Sequence, residues 1–246
     1  MKAMIFAAGL GTRLYPLTAD RPKALVEVAG VPMLKRVIDN MKAAGATTVV
    51  VNVCHFAQKI IDYLADNNNF GMEIIVSDES DMLLETGGGL LKARRILDGN
   101  EPVLLHNADI CTDADLSRLR LDGAEATLLV ADRDSSRRLL FDRTENRLCG
   151  WLNTSTGETR PEGTVYDPAS HRPLAFQGIH LFDPSLFDEL AAYASGLQSP
   201  AFSITPFYLH CASRGLRITG CDIPGGYRWF DIGRPASLAA AEAAMF

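Results

Sequence analysis

The sequence predicts an α/β fold: a Rossmann-like, doubly wound, mostly parallel sheet with helices on both faces and an antiparallel extension in the second half. Three observations predict it. Strand-length apolar runs alternate with stretches of helical period up to about residue 125, the order that gives parallel strands joined by right-handed crossovers. Beyond that point the alternation gives way to short strand-like runs separated by turn residues, as hairpins require. The chain has 246 residues, 47% of them hydrophobic and 22% charged, enough for a large core that buries roughly 70–75% of the unfolded surface.

Each element has its own signal. Lys2–Ala8 is nearly all apolar, the mark of a strand covered on both faces. Pro32 opens a helix carried by Leu34, Val37, Ile38 and Met41 at helical spacing, and Gly45 stops it. Thr47–Val53 reads as a strand, Ala57–Leu64 as a helix, Glu73–Ser77 as a strand, Leu90–Leu97 as a helix and Pro102–His106 as a strand. In the second half Ala126–Ala131 is strand-like, Leu139–Phe141 and Arg147–Trp151 form a hairpin, and Asn153–Arg172 is rich in turn residues, the pattern of an extension or lid. Leu174–Phe182, helices from Pro184 and from about Ser203, the strand Leu216–Cys221 and a last helix Pro235–Ala244 return to the main layer. With no repeat and no long linker, residues 1–246 are expected to be one domain, divided at 125/126 into a nucleotide-binding half and a sugar-binding half in the sense given below.

Composition removes several classes of function. A net charge of −6 offers no broad basic face, so long nucleic acid is not an expected partner and any anion must be held locally. The five cysteines are widely spaced without a C-x-x-C pair, as suits free thiols in a reducing compartment. The opening MKAMIFAAGLGTRL is too short an apolar run for a secretion signal or a membrane span, so the cytoplasm is the expected setting. The five histidines lack zinc-ligand spacing and read as structural or surface groups, and no serine sits in a G-x-S-x-G elbow.

Four segments can carry chemistry. Ala7-Ala8-Gly9-Leu10-Gly11-Thr12-Arg13-Leu14 falls where the first strand ends, where glycines let backbone N–H groups approach an anion and Arg13 adds a fork of donors. It lacks the Gly-Lys-Ser/Thr ending of a Walker A loop, and Leu14 replaces the third glycine of a dinucleotide loop. Such a loop also serves as a plain structural turn; the prolines around Arg21-Pro22-Lys23-Ala24, which deliver Lys23 beside the same strand end, favour a triphosphate clamp. Glu85-Thr86-Gly87-Gly88-Gly89 opens a helix, where it either bares N–H groups to a ligand or merely caps and packs. Asn107-Ala108-Asp109 places a carboxylate at a strand C-terminus, and Trp229-Phe230-Asp231-Ile232-Gly233-Arg234-Pro235 offers a second one far along the chain. Either Asp alone is more often a helix cap; two together suit Mg²⁺, and their convergence is what the resemblance below implies.

In this order the segments resemble the sugar-1-phosphate nucleotidyltransferases, also called nucleoside-diphosphate-sugar pyrophosphorylases, over nearly the whole chain. The E-T-G-G-G segment looks closest to the members acting on N-acetylmuramate 1-phosphate with UTP, and next to heptose- or mannose-1-phosphate guanylyltransferases. The resemblance implies a GT-A-like fold, a nucleoside triphosphate and a sugar 1-phosphate as substrates, and Mg²⁺ as cofactor. It assigns nucleotide contacts to Ala8, Gly9, Gly11, Thr12, Arg13, Lys23 and Gly88, with Arg13 and Lys23 also catalytic. It assigns sugar contacts to Glu85, Asn107 and Gly178, and the metal to Asp109 and Asp231. Two positions depart from the family pattern: Ala108 stands where glycine is usual, and Arg234 follows D-I-G where a small or hydroxyl residue is common. The hexapeptide-repeat domain of bifunctional members is not expected, and homo-oligomer formation is left open.

Two rivals share the loop. Cytidylyl transfer to phosphocholine would need an aromatic cage, which Trp151, Tyr166, Phe176 and Trp229 could supply. A regulatory subunit that binds nucleotide sugar without catalysis would have no need of Arg13, Lys23, Asp109 and Asp231. The basic run Arg133, Arg137, Arg138 and Arg143 is either a solvated face or a grip on an anionic sugar.

Overall fold

The structure, a computed structural model, describes residues 1–244. The chain starts with β1 (Lys2–Phe6), makes two 3-10 turns at Thr12–Leu14 and Lys23–Leu25, and passes through the short arms β2 (Glu27–Val28) and β3 (Val31–Pro32) into α1 (Met33–Ala43). It continues through β4 (Thr48–Val53), α2 (Ala57–Asp66), β5 (Glu73–Asp78), α3 (Glu85–Lys92), α4 (Arg94–Leu97), β6 (Val103–Asn107) and β7 (Ile110–Thr112). The second half holds β8 (Ala126–Ala131), β9 (Arg137–Asp142), β10 (Leu148–Asn153), β11 (Thr159–Arg160) and the long β12 (His171–Phe182). Then come α5 (Leu186–Ser195), α6 (Ile204–Ser213), β13 (Ile218–Cys221), β14 (Trp229–Asp231) and α7 (Pro235–Ala243).

The central sheet runs β11-β10-β9-β12-β6-β1-β4-β5, with β8 paired to both β12 and β13. Strands β6, β1, β4 and β5 are parallel neighbours, the expected doubly wound block. β12 joins it antiparallel to β6 and leads into the antiparallel arm β9-β10-β11. The predicted extension is therefore continuous with the main sheet.

Period-two alternation divides the apolar residues between the two faces. Met4, Phe6, Val50, Val103 and Leu105 pack toward α5 and α6, while Ala3, Ile5, Val49, Val51 and Leu104 pack toward α1 and α2. That is why these strands read as unbroken apolar runs. α1 buries Met33, Leu34, Val37, Ile38 and Met41 on one stripe. It ends as the sequence implied: Gly45 takes φ 88°, its N–H donates to the Lys42 carbonyl, and the Ala46 N–H donates to that of Met41.

Two details differ from the sequence expectation. The helix placed at Leu90–Leu97 begins at Glu85 and breaks at Ala93, so the three glycines lie inside it. Strand β7 and its partner β14, three residues each, carry no pattern long enough to read, yet they join Ile110–Thr112 to Trp229–Asp231 antiparallel.

Candidate active site

The strand ends β1, β4, β5 and β6 open on one side of the sheet, and the chemistry gathers there. Gly11 is in the left-handed region (φ 66°), and a Cβ on it would come within 2.9 Å of the Lys23 Cβ. The glycine therefore lets the first loop lie against the segment that carries Lys23, and the Thr18 hydroxyl, donating to the Gly11 carbonyl at 3.0 Å, fastens the two. Ala7 and Ala8 donate their N–H groups to Asn52 Oδ1 at 2.7 and 3.3 Å. Asn52 is held in turn by buried Glu79, which accepts from Asn52 Nδ2 at 2.8 Å and from the Leu84 N–H at 3.0 Å. Neither Asn52 nor Glu79 was singled out by sequence: Asn52 is one polar residue in an apolar strand, and Glu79 is one of several in the polar run Ser77-Asp78-Glu79-Ser80-Asp81, patterns shared by ordinary strand ends.

The β7–β14 pairing brings the two distant aspartates together. Asp231 is opposite Ile110, and the Ile232 N–H donates to the Asp109 carbonyl at 2.8 Å. Lys23 Nζ donates to Asp109 Oδ2 and stands 4.0 Å from Asp231 Oδ1. Asp231 Oδ1 is buried and has no hydrogen-bond partner. Burial, followed by the nearby Asp109 charge, raises the Asp231 pKa against the opposing pull of Lys23, Arg13 and Arg133. Arg13 lies over Gly233, where a Cβ would come within 2.8 Å of its Nη2 and 2.7 Å of Asp231 Oδ1. The structure thus gathers Arg13, Lys23, Asp109 and Asp231 at one point.

Two cavities meet there, sharing Ser203 in their walls. The smaller, about 300 Å³, is lined by Ala8, Gly9, Lys23, Glu85, Thr86, Asn107 and Asp109 among others. The larger, about 1250 Å³, runs from Arg13, Asp231 and Arg234 to the antiparallel arm at Arg137, Trp151 and Asn153. Thr12 is exposed in the 3-10 turn beside Arg13. Gly178 (φ 74°) sits at the register shift of β12, and its missing Cβ makes room for Asn107 Nδ2, which it would meet at 2.8 Å.

The E-T-G-G-G segment departs from expectation. Gly87 and Gly88 both donate their N–H groups to the Phe202 carbonyl, so this part of the N-terminus of α3 is taken up by packing, while Glu85 and Thr86 at its first two positions line the smaller cavity. Gly88, expected to touch nucleotide, is buried and turned toward Pro200, whose carbonyl would lie 2.3 Å from an added Cβ; it lines neither cavity. Thr86 caps a helix other than its own, accepting from the Ile204 N–H that opens α6 at 2.9 Å. Glu85 does reach the smaller cavity, from the left-handed region (φ 58°).

Three of the four aromatic residues named for a phosphocholine cage are engaged elsewhere, which leaves Phe176 of that set on the wall of the larger cavity. Trp229 carries the Arg133 guanidinium 4.0 Å from its ring centroid, and Trp151 carries that of Arg160 at 4.9 Å. Tyr166 stacks on His171 instead of lining the cavity.

An open α/β sheet with two acids, an ammonium and a guanidinium converging at its strand ends defines an enzyme class that works on phosphates. The comparisons with known proteins name it more closely. The profile of the family described as "Nucleotidyl transferase" matches residues 2–130, and the chain belongs to that family. It is 36% identical to the N-acetylmuramate alpha-1-phosphate uridylyltransferase of Caulobacter vibrioides, covering 99% of this chain and 96% of the relative. It is 31% identical to the protein of the same name in Neisseria meningitidis serogroup B, covering 99% and 97%. Mannose-1-phosphate guanylyltransferase 1 of Arabidopsis thaliana is 29% identical, covering 96% of this chain and 62% of that one. In fold the chain is similar to a putative glucose-1-phosphate thymidylyltransferase from Bacillus anthracis solved with sucrose, with a TM-score of 0.77, 22% identity and coverage of 99% and 94%. HddC from Yersinia pseudotuberculosis complexed with GMP-PN gives a TM-score of 0.74 at 17% identity, covering 100% and 99%.

Proposed function

We propose that this chain transfers UMP from UTP to N-acetylmuramate 1-phosphate and releases pyrophosphate, acting as one nucleotidyltransferase unit over residues 1–246 in a cytoplasmic setting. The observation that carries the reading is Lys23 Nζ set between Asp109 and Asp231 where a small cavity joins a large one. The two relatives above 30% identity support the choice of substrates. Five free thiols suit a reducing compartment, and among the described residues no helix is long and apolar enough to cross a membrane.

The donor set fits a hard divalent cation, with Mg²⁺ the first choice. An orphaned carboxylate oxygen on Asp231, facing the charge of Asp109, is relieved by such an ion. Mg²⁺ takes one or two protein carboxylates and completes its shell with phosphate and water. Bound there, it would offset charge on the triphosphate.

The protein's own part is positioning. A phosphate monoester loses its second proton near a pKa of ~6, so the attacking oxygen needs no base at neutral pH. The barrier lies in bringing two anions together in line at the α-phosphorus. Lys23 and Arg13 supply fixed positive charge at that junction, with Lys23 giving up part of its pairing to Asp109 when phosphate arrives. The nucleoside half takes the smaller cavity beside Ala8 and Gly9, and the sugar takes the larger; Glu85 and Asn107, expected at the sugar, line the smaller cavity and are reassigned to the nucleoside side.

The test is pyrophosphate release across the four nucleoside triphosphates, each against a panel of sugar 1-phosphates. UTP with N-acetylmuramate 1-phosphate is expected to give the highest kcat/KM. A clear preference for GTP with mannose or heptose 1-phosphate would reassign the substrates, and no turnover with any pair would return the regulatory reading.

A further inference from the structure

The basic run in the second half separates into spent and unspent charges. Arg138 donates to Asp132 at 2.6 Å and to the carbonyls of Arg133 and Pro173 at 2.7 and 3.2 Å. Arg133 donates to Gln177 and to the Phe176 carbonyl while lying on Trp229. Arg143 holds the Pro168 carbonyl at 3.1 Å. Arg137 alone of the four has a guanidinium with no hydrogen bond or ion pair to any described residue.

The strand register shows where that free charge stands. In the β9–β10 ladder Arg137 is opposite Asn153 and Leu139 is opposite Trp151; Trp151 is in turn opposite Arg160 of β11. Residues two apart on a strand share a face, and cross-strand partners have Cβ atoms about 4.5–5.5 Å apart. All five line the larger cavity. Arg160 is neutralised by Glu158 at 2.9 Å. The Ser155 N–H donates to Asn153 Oδ1 at 3.0 Å, occupying the acceptor end of that amide and leaving its NH₂ group unspent. The Arg137 guanidinium and the Asn153 NH₂ therefore present unspent donors, with net positive charge, on one wall. Asp134 also lines this cavity but makes no ion pair with Arg137. The other end of the same cavity is Arg13, Asp231 and Arg234.

A neutral sugar hydroxyl both gives and takes hydrogen bonds, whereas a pair of donors carrying charge matches a carboxylate. We propose that Arg137 and Asn153 form a receptor for a second anionic group on the acceptor sugar, a carboxylate set apart from the 1-phosphate. The proposal rests on the reading of the larger cavity as the sugar site. Its ligand class is a sugar 1-phosphate bearing a carboxylate, either on an ether side arm as in N-acetylmuramate or on the ring as in a uronic acid.

The test compares kcat/KM for two matched pairs, N-acetylmuramate 1-phosphate against N-acetylglucosamine 1-phosphate and glucuronate 1-phosphate against glucose 1-phosphate. Each pair is assayed with all four nucleoside triphosphates in the wild type, Arg137→Gln, Arg137→Lys and Asn153→Ala. Wild type is expected to prefer the carboxylate-bearing member of at least one pair. Arg137→Gln should cut that preference about 10- to 100-fold, mainly through KM, as loss of a charge-assisted bidentate contact does; Arg137→Lys should restore part of it, and Asn153→Ala should lose a smaller share. A wild type without the preference, or a ratio unchanged in Arg137→Gln, overturns the proposal. UTP-dependent turnover of N-acetylmuramate 1-phosphate no better than that of N-acetylglucosamine 1-phosphate would spare the uridylyl reading while counting against this one. A carboxylate preference expressed with another base or with the uronic acid would do the reverse.

Discussion

Asp231 is held at a cost, half-buried beside another carboxylate with its Oδ1 buried and unpartnered. Asn at that position removes the repulsion without changing shape, so Asp231→Asn and Asp109→Asn should each lower kcat by about 10²–10³-fold, the scale of losing one electrostatic group at a reacting phosphate. The Tm of Asp231→Asn should stay level or rise, because the group removed is an unfavourable one in the empty protein. Pyrophosphate release and thermal melts on the same samples check this; near wild-type kcat with an intact fold would remove the residue from the mechanism. The glycines act at the same scale. An alanine at Gly178 would need both the left-handed conformation and space already filled by Asn107 Nδ2. Gly178→Ala should cost about 1–3 kcal/mol by urea melts and raise KM for the nucleoside triphosphate through a displaced Asn107, which lines the smaller cavity.

At the scale of elements, β6 and β12 bury two histidines in the core on opposite faces of the sheet: His106 is opposite Ile179, and His180 is opposite Leu105. His106 is fully buried and His180 is 1% exposed; His180 lacks a partner for either ring nitrogen, and His106 lacks one for Nε2. Burial pushes His106 down to about 4 and His180 down to about 3, from the ordinary 6.5. The unfolded chain therefore takes up protons first, and stability should fall as pH drops from 6.5 toward 4, by on the order of 3 kcal/mol per histidine when fully expressed. His180→Phe should lose less stability between pH 7.5 and 5 than the wild type; equal losses in chemical denaturation at both pH values would refute the assignment. Helix α3 gives a further expectation. Its glycines let residues 87–89 meet Phe202, the Pro200 carbonyl and the Glu79 carboxylate, so Gly88→Ala should destabilise by about 2 kcal/mol or more, since the atom in the way is backbone. These elements also show what sequence can and cannot carry. Strands β1, β4 and β6 were readable because burial on both faces leaves only apolar residues, and α1 because its stripe and stop glycine are local. The place of α3 was misjudged because a run of three glycines looks like a loop until Phe202, more than a hundred positions later, is seen lying against it.

For the whole molecule, the acids were readable as candidates but their meeting was not. It depends on β7 and β14, whose three-residue lengths give no periodicity, and on a 2.8 Å bond between Ile232 and the Asp109 carbonyl. The same holds for Arg137, whose freedom becomes visible only once its neighbours' partners are known. Because ligand binds the folded chain alone, nucleoside triphosphate with a divalent cation at about 100 times Kd should add about 2.7 kcal/mol, roughly 5–10 °C in Tm for a chain of this size. Asp231→Asn should show a smaller rise. The pairing of β7 with β14 also bears on the chain while it is being made. A ribosome that has delivered the parallel block has supplied Asp109, Lys23 and Arg13, yet the opposing acid follows Asp109 by more than a hundred residues. A fragment that stops between β7 and β14 would carry one acid of the pair without the other, so the two acids are joined only when both short strands are present.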